Sequence, residues 1–124
     1  MICIDSDCII DFLKGKKEAI EVIEKNKEEL VTTEINVFEI FVGSCSIADE
    51  EKAVDFFNSL EILNTDGWGY RAAKIFCNLL KKGEALDQND CLIASIMLTN
   101  NCNKIITNNK KHFSRIKEIE IISY

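Results

Sequence analysis

Short β-branched runs alternate with longer segments of helical periodicity along the whole chain, and this alternation constrains the fold more than any other feature. Ile2–Ile4, Val31–Thr33, Glu61–Leu63, Lys104–Ile106 and Ile119–Ile122 read as strands. Between them, Lys17–Lys27 sets Ile20, Val22 and Ile23 on one side and charges on the other. Val37–Val42 is an apolar helix stopped by Gly43, and Asp49–Ser59 turns Ala53, Phe56 and Phe57 inward. Trp68, Ala72, Ile75, Phe76 and Leu79 recur at helical spacing, after a cap at Asp66 and before Lys81, Lys82 and Gly83, which suit a helix C-terminus. Asp90–Thr99 is almost entirely apolar and predicts a buried helix. Strands alternating with helices predict an α/β protein whose parallel sheet is covered on both faces. With no proline, no low-complexity run and no internal repeat, residues 1–124 read as a single domain.

The formal charge of −6 argues against a chain that holds nucleic acid by bulk charge alone. It leaves a nuclease open, because a bound divalent cation reverses the sign of an acidic pocket. Charge is also uneven: Lys104–Lys117 carries five Lys or Arg and no acid. The six cysteines include no C-x-x-C pair and stand beside one histidine, which disfavours a zinc site. Most lie in apolar segments, as free thiols in a reducing compartment do. The start, MICIDSD, has no basic flank and meets an acid at position 5, and the apolar stretch Cys91–Leu98 is too short to span a bilayer. The expectation is a cytoplasmic protein with no membrane association.

Against this background several carboxylates stand out. Glu39 has apolar neighbours on both sides, in Val37-Phe38 and Ile40-Phe41-Val42. A helix hydrophobic all round is buried, and an unpaired carboxylate there needs a partner. A solvent window or a structural ion pair with a lysine is the plain alternative. Asp5 ends a strand, while Ser6 or Asp7 reads as the cap of the helix that follows. Asp90 opens a helix, where the dipole favours an acid, and Asp87 one turn earlier is either a second cap or an outer partner. Sites in parallel sheets form at the carboxyl ends of strands, where Asp5 and Thr107 fall. Three carboxylates from a strand end, a helix interior and a helix start can converge there. Such an oxygen-only set suits Mg²⁺ or Mn²⁺, which lowers the pKa of water and stabilises charge on a phosphate under attack. No Ser/His/Asp or Cys/His arrangement competes, and His112 reads as a surface or loop residue.

The segments ICIDSDCIIDFLKG, VTTEINVFEIFVGS, GEALDQNDCLIASIML and NKIITNNKKHF, in that order, resemble the PIN-domain toxins of the VapC type. These are the ribonuclease halves of toxin–antitoxin pairs. The resemblance implies a three-layer α/β/α sandwich with a central, mostly parallel sheet. It implies that Asp5, Glu39 and Asp90 are the catalytic acids holding Mg²⁺ or Mn²⁺, with Ser6, Asp7, Asp87 and Thr107 supporting them. One position departs from the pattern: many members carry a fourth acid in T-x-D, where this chain has Thr107-Asn108-Asn109. Asn109 offers only a carbonyl, which puts a second metal in doubt. The resemblance further implies hydrolysis of RNA, a homodimer and a cognate antitoxin. Lys14, Lys16, Lys110, Lys111, His112 and Arg115 are the candidates for the RNA backbone. Two other readings stay open. A haloacid-dehalogenase-like phosphatase would use Asp5 as nucleophile and Asp7 as acid/base, and a receiver-like phospho-acceptor module would use Asp66 and Lys110. Neither has a use for Glu39.

Overall fold

The computed structural model describes residues 1–43 and 50–124. Five strands, β1 (Ile2–Ile4), β2 (Leu30–Thr32), β3 (Glu61–Ile62), β4 (Lys104–Ile106) and β5 (Glu120–Ile122), form one sheet in the order β3-β2-β1-β4-β5. Every pairing is parallel. Among the described residues the helices are α1 (Ser6–Leu13), α2 (Lys17–Asn26), α3 (Glu34–Gly43), α4 (Glu50–Asn58), α5 (Trp68–Lys81), α6 (Gln88–Thr99) and α7 (Lys110–Phe113).

Side chains alternate across each strand and divide the interior in two. Ile2, Ile4, Leu30 and Ile106 face a layer containing Ile9 of α1, Ile23 of α2, Ile40 of α3 and Phe56 of α4. Cys3, Val31 and Ile105 face the other, with Leu79 of α5, Ile93 and Met97 of α6 and Phe113 of α7. The result is the expected α/β/α sandwich. A sheet buried on both faces explains why its strands read as continuous apolar runs. The edge strand β3 is the exception: both of its residues are exposed.

Several local expectations are corrected. Helix α3 begins at Glu34 rather than Val37, because Thr33 starts it: the Thr33 carbonyl accepts from the Val37 N–H at 3.1 Å, and its hydroxyl oxygen from the Asn36 N–H at 3.3 Å. Gly43 lies in its last turn rather than beyond it. Nor is α3 buried all round. It lies in an outer layer with Asn36 and Ile40 inward, leaving Phe38 62% and Val42 55% exposed. In α2 the inward residues are Ala19 and Ile23, and Ile20 is exposed. Asp66 does not cap α5: that place belongs to Gly67, whose φ of +76° disfavours other residues. The proposed start of α4 at Asp49 lies outside the described residues, and Glu50–Asn58 is helical.

The strand order reverses direction at β1. The chain leaves β1 toward β2 on one side and later returns to place β4 on the other. In open α/β sheets the crevice for ligands lies outside the carboxyl ends of the strands at such a reversal. Asp5 follows β1 there and Thr107 follows β4.

Candidate active site

Asp5 is the first residue beyond β1, tied to β4 by its N–H, which donates to the Ile106 carbonyl at 3.1 Å. Its side chain, not that of Ser6 or Asp7, caps α1: Oδ1 accepts from the Ser6 N–H at 2.8 Å. Oδ1 also accepts from Asn36 Nδ2 at 3.1 Å, and Oδ2 from the Thr107 hydroxyl at 2.8 Å. The residue is only 6% exposed. Burial, and then the charge of Asp7, push its carboxyl up to about 7 against the pull of the Thr107 and Ser6 hydrogen bonds.

Asp7 closes the same corner from one turn of α1. Its Oδ1 accepts from the Cys8 N–H at 2.7 Å and its Oδ2 from the Asn108 N–H at 2.9 Å. The Thr107 hydroxyl lies 3.2 Å from Asp7 Oδ2 as well as 2.8 Å from Asp5, so one proton serves two carboxylates. Thr107 Oγ1 in turn accepts from the Asn109 N–H at 2.9 Å.

Glu39 meets this group through α3. Ser6 Oγ donates to Glu39 Oε1 at 2.9 Å and accepts from Asn36 Nδ2 at 3.0 Å. Asn36 is fully buried, and its Oδ1 accepts from the Thr33 hydroxyl at 2.6 Å. Both N–H groups and the carbonyl of that amide are thus engaged, and its nitrogen joins Asp5 to the Ser6–Glu39 pair. Sequence reasoning missed Asn36. The available signal was a polar residue in an apolar helix, one turn before Glu39 and three residues after a threonine. Glu39 is half-buried rather than fully enclosed, and its carboxyl is raised chiefly by burial, with the charge of Asp90 adding to the effect and the bond from Ser6 opposing it.

Asp87, not Asp90, caps α6: its carboxylate accepts from the Asn89 N–H at 2.8 Å, as a cap should. Asp90 is thereby left at the third helical position, on the side facing the other acids. Its carboxyl is raised by burial, opposed by a bond to His112, with Asp87 adding repulsion. The imidazole Nδ1 stands 3.0 Å from Asp90 Oδ2 and 2.8 Å from the Asn109 side-chain amide. His112 is therefore a partner of an acid rather than the unattached surface residue expected. The charge of Asp90 acts on both Asp5 and Glu39.

The basic residues divide. Lys110 and Lys111 are exposed on α7, directly after Asn109. Lys14 and Lys16 are not brought to the site: they follow the far end of the eight-residue helix α1, about 12 Å from its capped start. Lys16 pairs with Asp11 at 3.4 Å. Arg115 donates through Nη1 to the Ala85 carbonyl. Asp66 follows β3, two strands from β1, so the receiver-like arrangement is not assembled. The nucleophile reading also fits poorly, since both oxygens of Asp5 are held by donors in a buried position.

The donor chemistry fits a hard divalent cation. The oxygens are carboxylate, several of the acids are destabilised by burial and by one another, and a positive charge among them removes both penalties. Among the described residues, no three Asp, Glu, His or Cys side chains close on one point as they lie. Asp5 and Asp90 would hold an ion together with water, as Mg²⁺ commonly is held.

Comparison with known proteins places the chain in a family. Residues 2–119 match the family model described as PIN domain. A ribonuclease VapC from Rickettsia bellii (strain RML369-C) is 29% identical over 130 residues, covering 98% of this chain and 95% of that protein. Among solved structures, a chain of VapBC2 from Rickettsia felis bound to a DNA fragment from their promoter superposes with a TM-score of 0.85 at 24% identity, covering 100% of this chain and 99% of the other. A chain of DNA-bound VapBC from Salmonella typhimurium gives 0.85 at 25% identity, covering 98% and 96%.

Proposed function

The chain belongs to the PIN-domain family, and on that premise we propose that it is a metal-dependent endoribonuclease of the VapC type, the toxin of a toxin–antitoxin pair. One observation carries the proposal: at the switch point Asp5 and Glu39 are joined through Asn36 and Ser6, and Asp90 at a helix start lies near enough for its charge to act on both. A structural ion pair does not account for it. No lysine or arginine bridges Asp5, Glu39 or Asp90 among the described residues.

In this reading Asp5 and Asp90 would hold Mg²⁺ or Mn²⁺, and Glu39 would ligate it through water or orient the attacking hydroxide. The cation would supply Lewis-acid charge to the scissile phosphate and acidify water. Asn36 and Thr107 keep both oxygens of Asp5 fixed, which limits reorganisation when substrate arrives. Asn109 supplies a neutral carbonyl where a fourth acid would add charge. Lys110 and Lys111, exposed directly after Asn109, would meet the RNA backbone, a contact that positions without selecting sequence. The proposal includes a cognate antitoxin, a homodimer and a cytoplasmic setting. The ribonuclease VapC of Rickettsia bellii supports the activity, and the VapBC complexes among the structural neighbours support the antitoxin. No described helix is long and apolar enough to cross a membrane.

Labelled RNA incubated with the protein and Mg²⁺ tests the proposal. Cleavage is expected to stop with a chelator and in Asp5→Asn and Asp90→Asn, each of which should keep wild-type circular dichroism. Cleavage persisting in both folded variants would overturn it.

A further inference from the structure

Helix α7 is too short to be a site by itself, yet the segment that leads into it touches three acids. Thr107 bonds Asp5 and Asp7, the Asn108 N–H bonds Asp7, and His112 bonds Asp90. We propose that His112 is a positioning residue: its imidazole Nδ1–H, given to Asp90 Oδ2 at 3.0 Å, orients the Asp90 carboxylate for cation binding. The inference rests on the metal-dependent reading above and adds a role for the chain's one histidine that this reading does not require.

The geometry selects the arrangement. Nδ1 has a single bonding site and can donate or accept, whereas an ionised carboxylate only accepts. At 3.0 Å from Asp90 Oδ2, Nδ1 therefore carries the hydrogen. The Asn109 amide nitrogen, 2.8 Å from the same Nδ1, is a donor, so it competes with Asp90 for that ring nitrogen instead of sharing its hydrogen. The backbone supports this placement. The His112 N–H donates to the Asn109 carbonyl at 3.2 Å, and Phe113, the next residue, is 0% exposed and anchors α7 in the core. The Asn109 N–H is itself held by Thr107.

The exposures suit this division of labour. The Asp90 side chain is 13% exposed, so a wrong rotamer is not easily corrected by water, while the His112 side chain is 40% exposed and covers it from outside. A residue placed only to meet RNA would have no need of a ring nitrogen turned inward onto a carboxylate. Partners of metal-binding side chains set ligand orientation, and their loss commonly weakens affinity by about ten- to a hundredfold.

Mn²⁺ binding to the metal-free protein, followed by the electron paramagnetic resonance signal of the free ion, tests this without RNA. His112→Ala should weaken Mn²⁺ binding about tenfold or more, with an unchanged melting temperature in the absence of metal. His112→Asn places an amide nitrogen near the position of Nδ1 and should keep affinity close to wild type. His112→Gln places its nitrogen near Nε2 instead and should not. Wild-type affinity in His112→Ala, with Asp90→Asn impaired, would overturn the role of His112 while leaving the metal site standing. A raised KM for RNA in His112→Ala at unchanged Mn²⁺ affinity would likewise overturn it, in favour of a substrate contact. Unimpaired Mn²⁺ binding in Asp90→Asn would overturn the metal reading itself, and this inference with it.

Discussion

Asp5 and Asp90 face the same crevice from two kinds of wall. Asp5 belongs to the sheet: three donors from α1, α3 and the β4 exit hold both its oxygens in a nearly closed position. Asp90 belongs to the first turn of a helix, partly open to solvent, with one oxygen held by an imidazole that also contacts Asn109. The first wall is rigid and costs stability whenever its acid is ionised without a cation. The second is adjustable and depends on a few side chains near the surface. A metal centre built this way would keep one ligand fixed and let the other adapt to ion and substrate.

The comparison breaks first on activity. Asp5→Asn and Asp90→Asn should each lower the rate of RNA cleavage by about a thousandfold, equivalent to roughly 4 kcal/mol. A rate within about tenfold of wild type in either would show that its wall is dispensable.

The next effect separates the walls. In the unfolded chain Asp5 titrates near 3.8, and in the metal-free fold near 7. Between those values the folded state holds a proton that the unfolded chain has released. Stability should therefore fall as pH rises from about 4 to about 7, by on the order of 3 kcal/mol. Glu39 and Asp90 are pushed the same way. Urea unfolding of the metal-free protein across this range should show the decline, and Asp5→Asn should flatten most of it. Asp90→Asn should change the slope less. An equal effect of both substitutions would erase the distinction.

Asn36→Leu removes donors from Asp5 and Ser6 and leaves the buried Thr33 hydroxyl without its acceptor. It should cost about 2 kcal/mol in urea unfolding, and more above neutral pH than below it, because the lost bond is to the ionised carboxylate. A loss independent of pH would mean that Asn36 serves packing alone. Asp87→Ala removes the α6 cap and should cost about 1 kcal/mol. With Asp90 intact, cleavage should fall far less than in Asp90→Asn. Equal losses would make Asp87 part of the site rather than of the helix.

The sheet and its layers were legible because strands buried on both faces leave continuous apolar runs, as Ile2–Ile4 and Ile105–Ile106 do. The gathering of Asp5, Glu39 and Asp90 at one edge was legible because each is an acid in an apolar setting or at an element boundary. What escaped depends on contacts between distant residues. Nothing near His112 marks it as a partner of Asp90, 22 positions earlier. Asn36 could have faced solvent as readily as Asp5, since the alternation of polar and apolar residues does not say which side of α3 meets α1. Helix boundaries shifted where a short polar side chain decided them, as Thr33 did for α3 and Asp87 for α6. At α5 a glycine in a left-handed conformation took the cap position that Asp66 was expected to fill.

Crystals of the protein soaked in Mn²⁺, with data collected at the manganese absorption edge, test the central claim most directly. The account predicts an anomalous peak in contact with carboxylate oxygens of Asp5 and Asp90, with Glu39 reaching the same ion directly or through one water. A fully soaked crystal with no peak among these three acids, or with manganese bound only elsewhere, would contradict it.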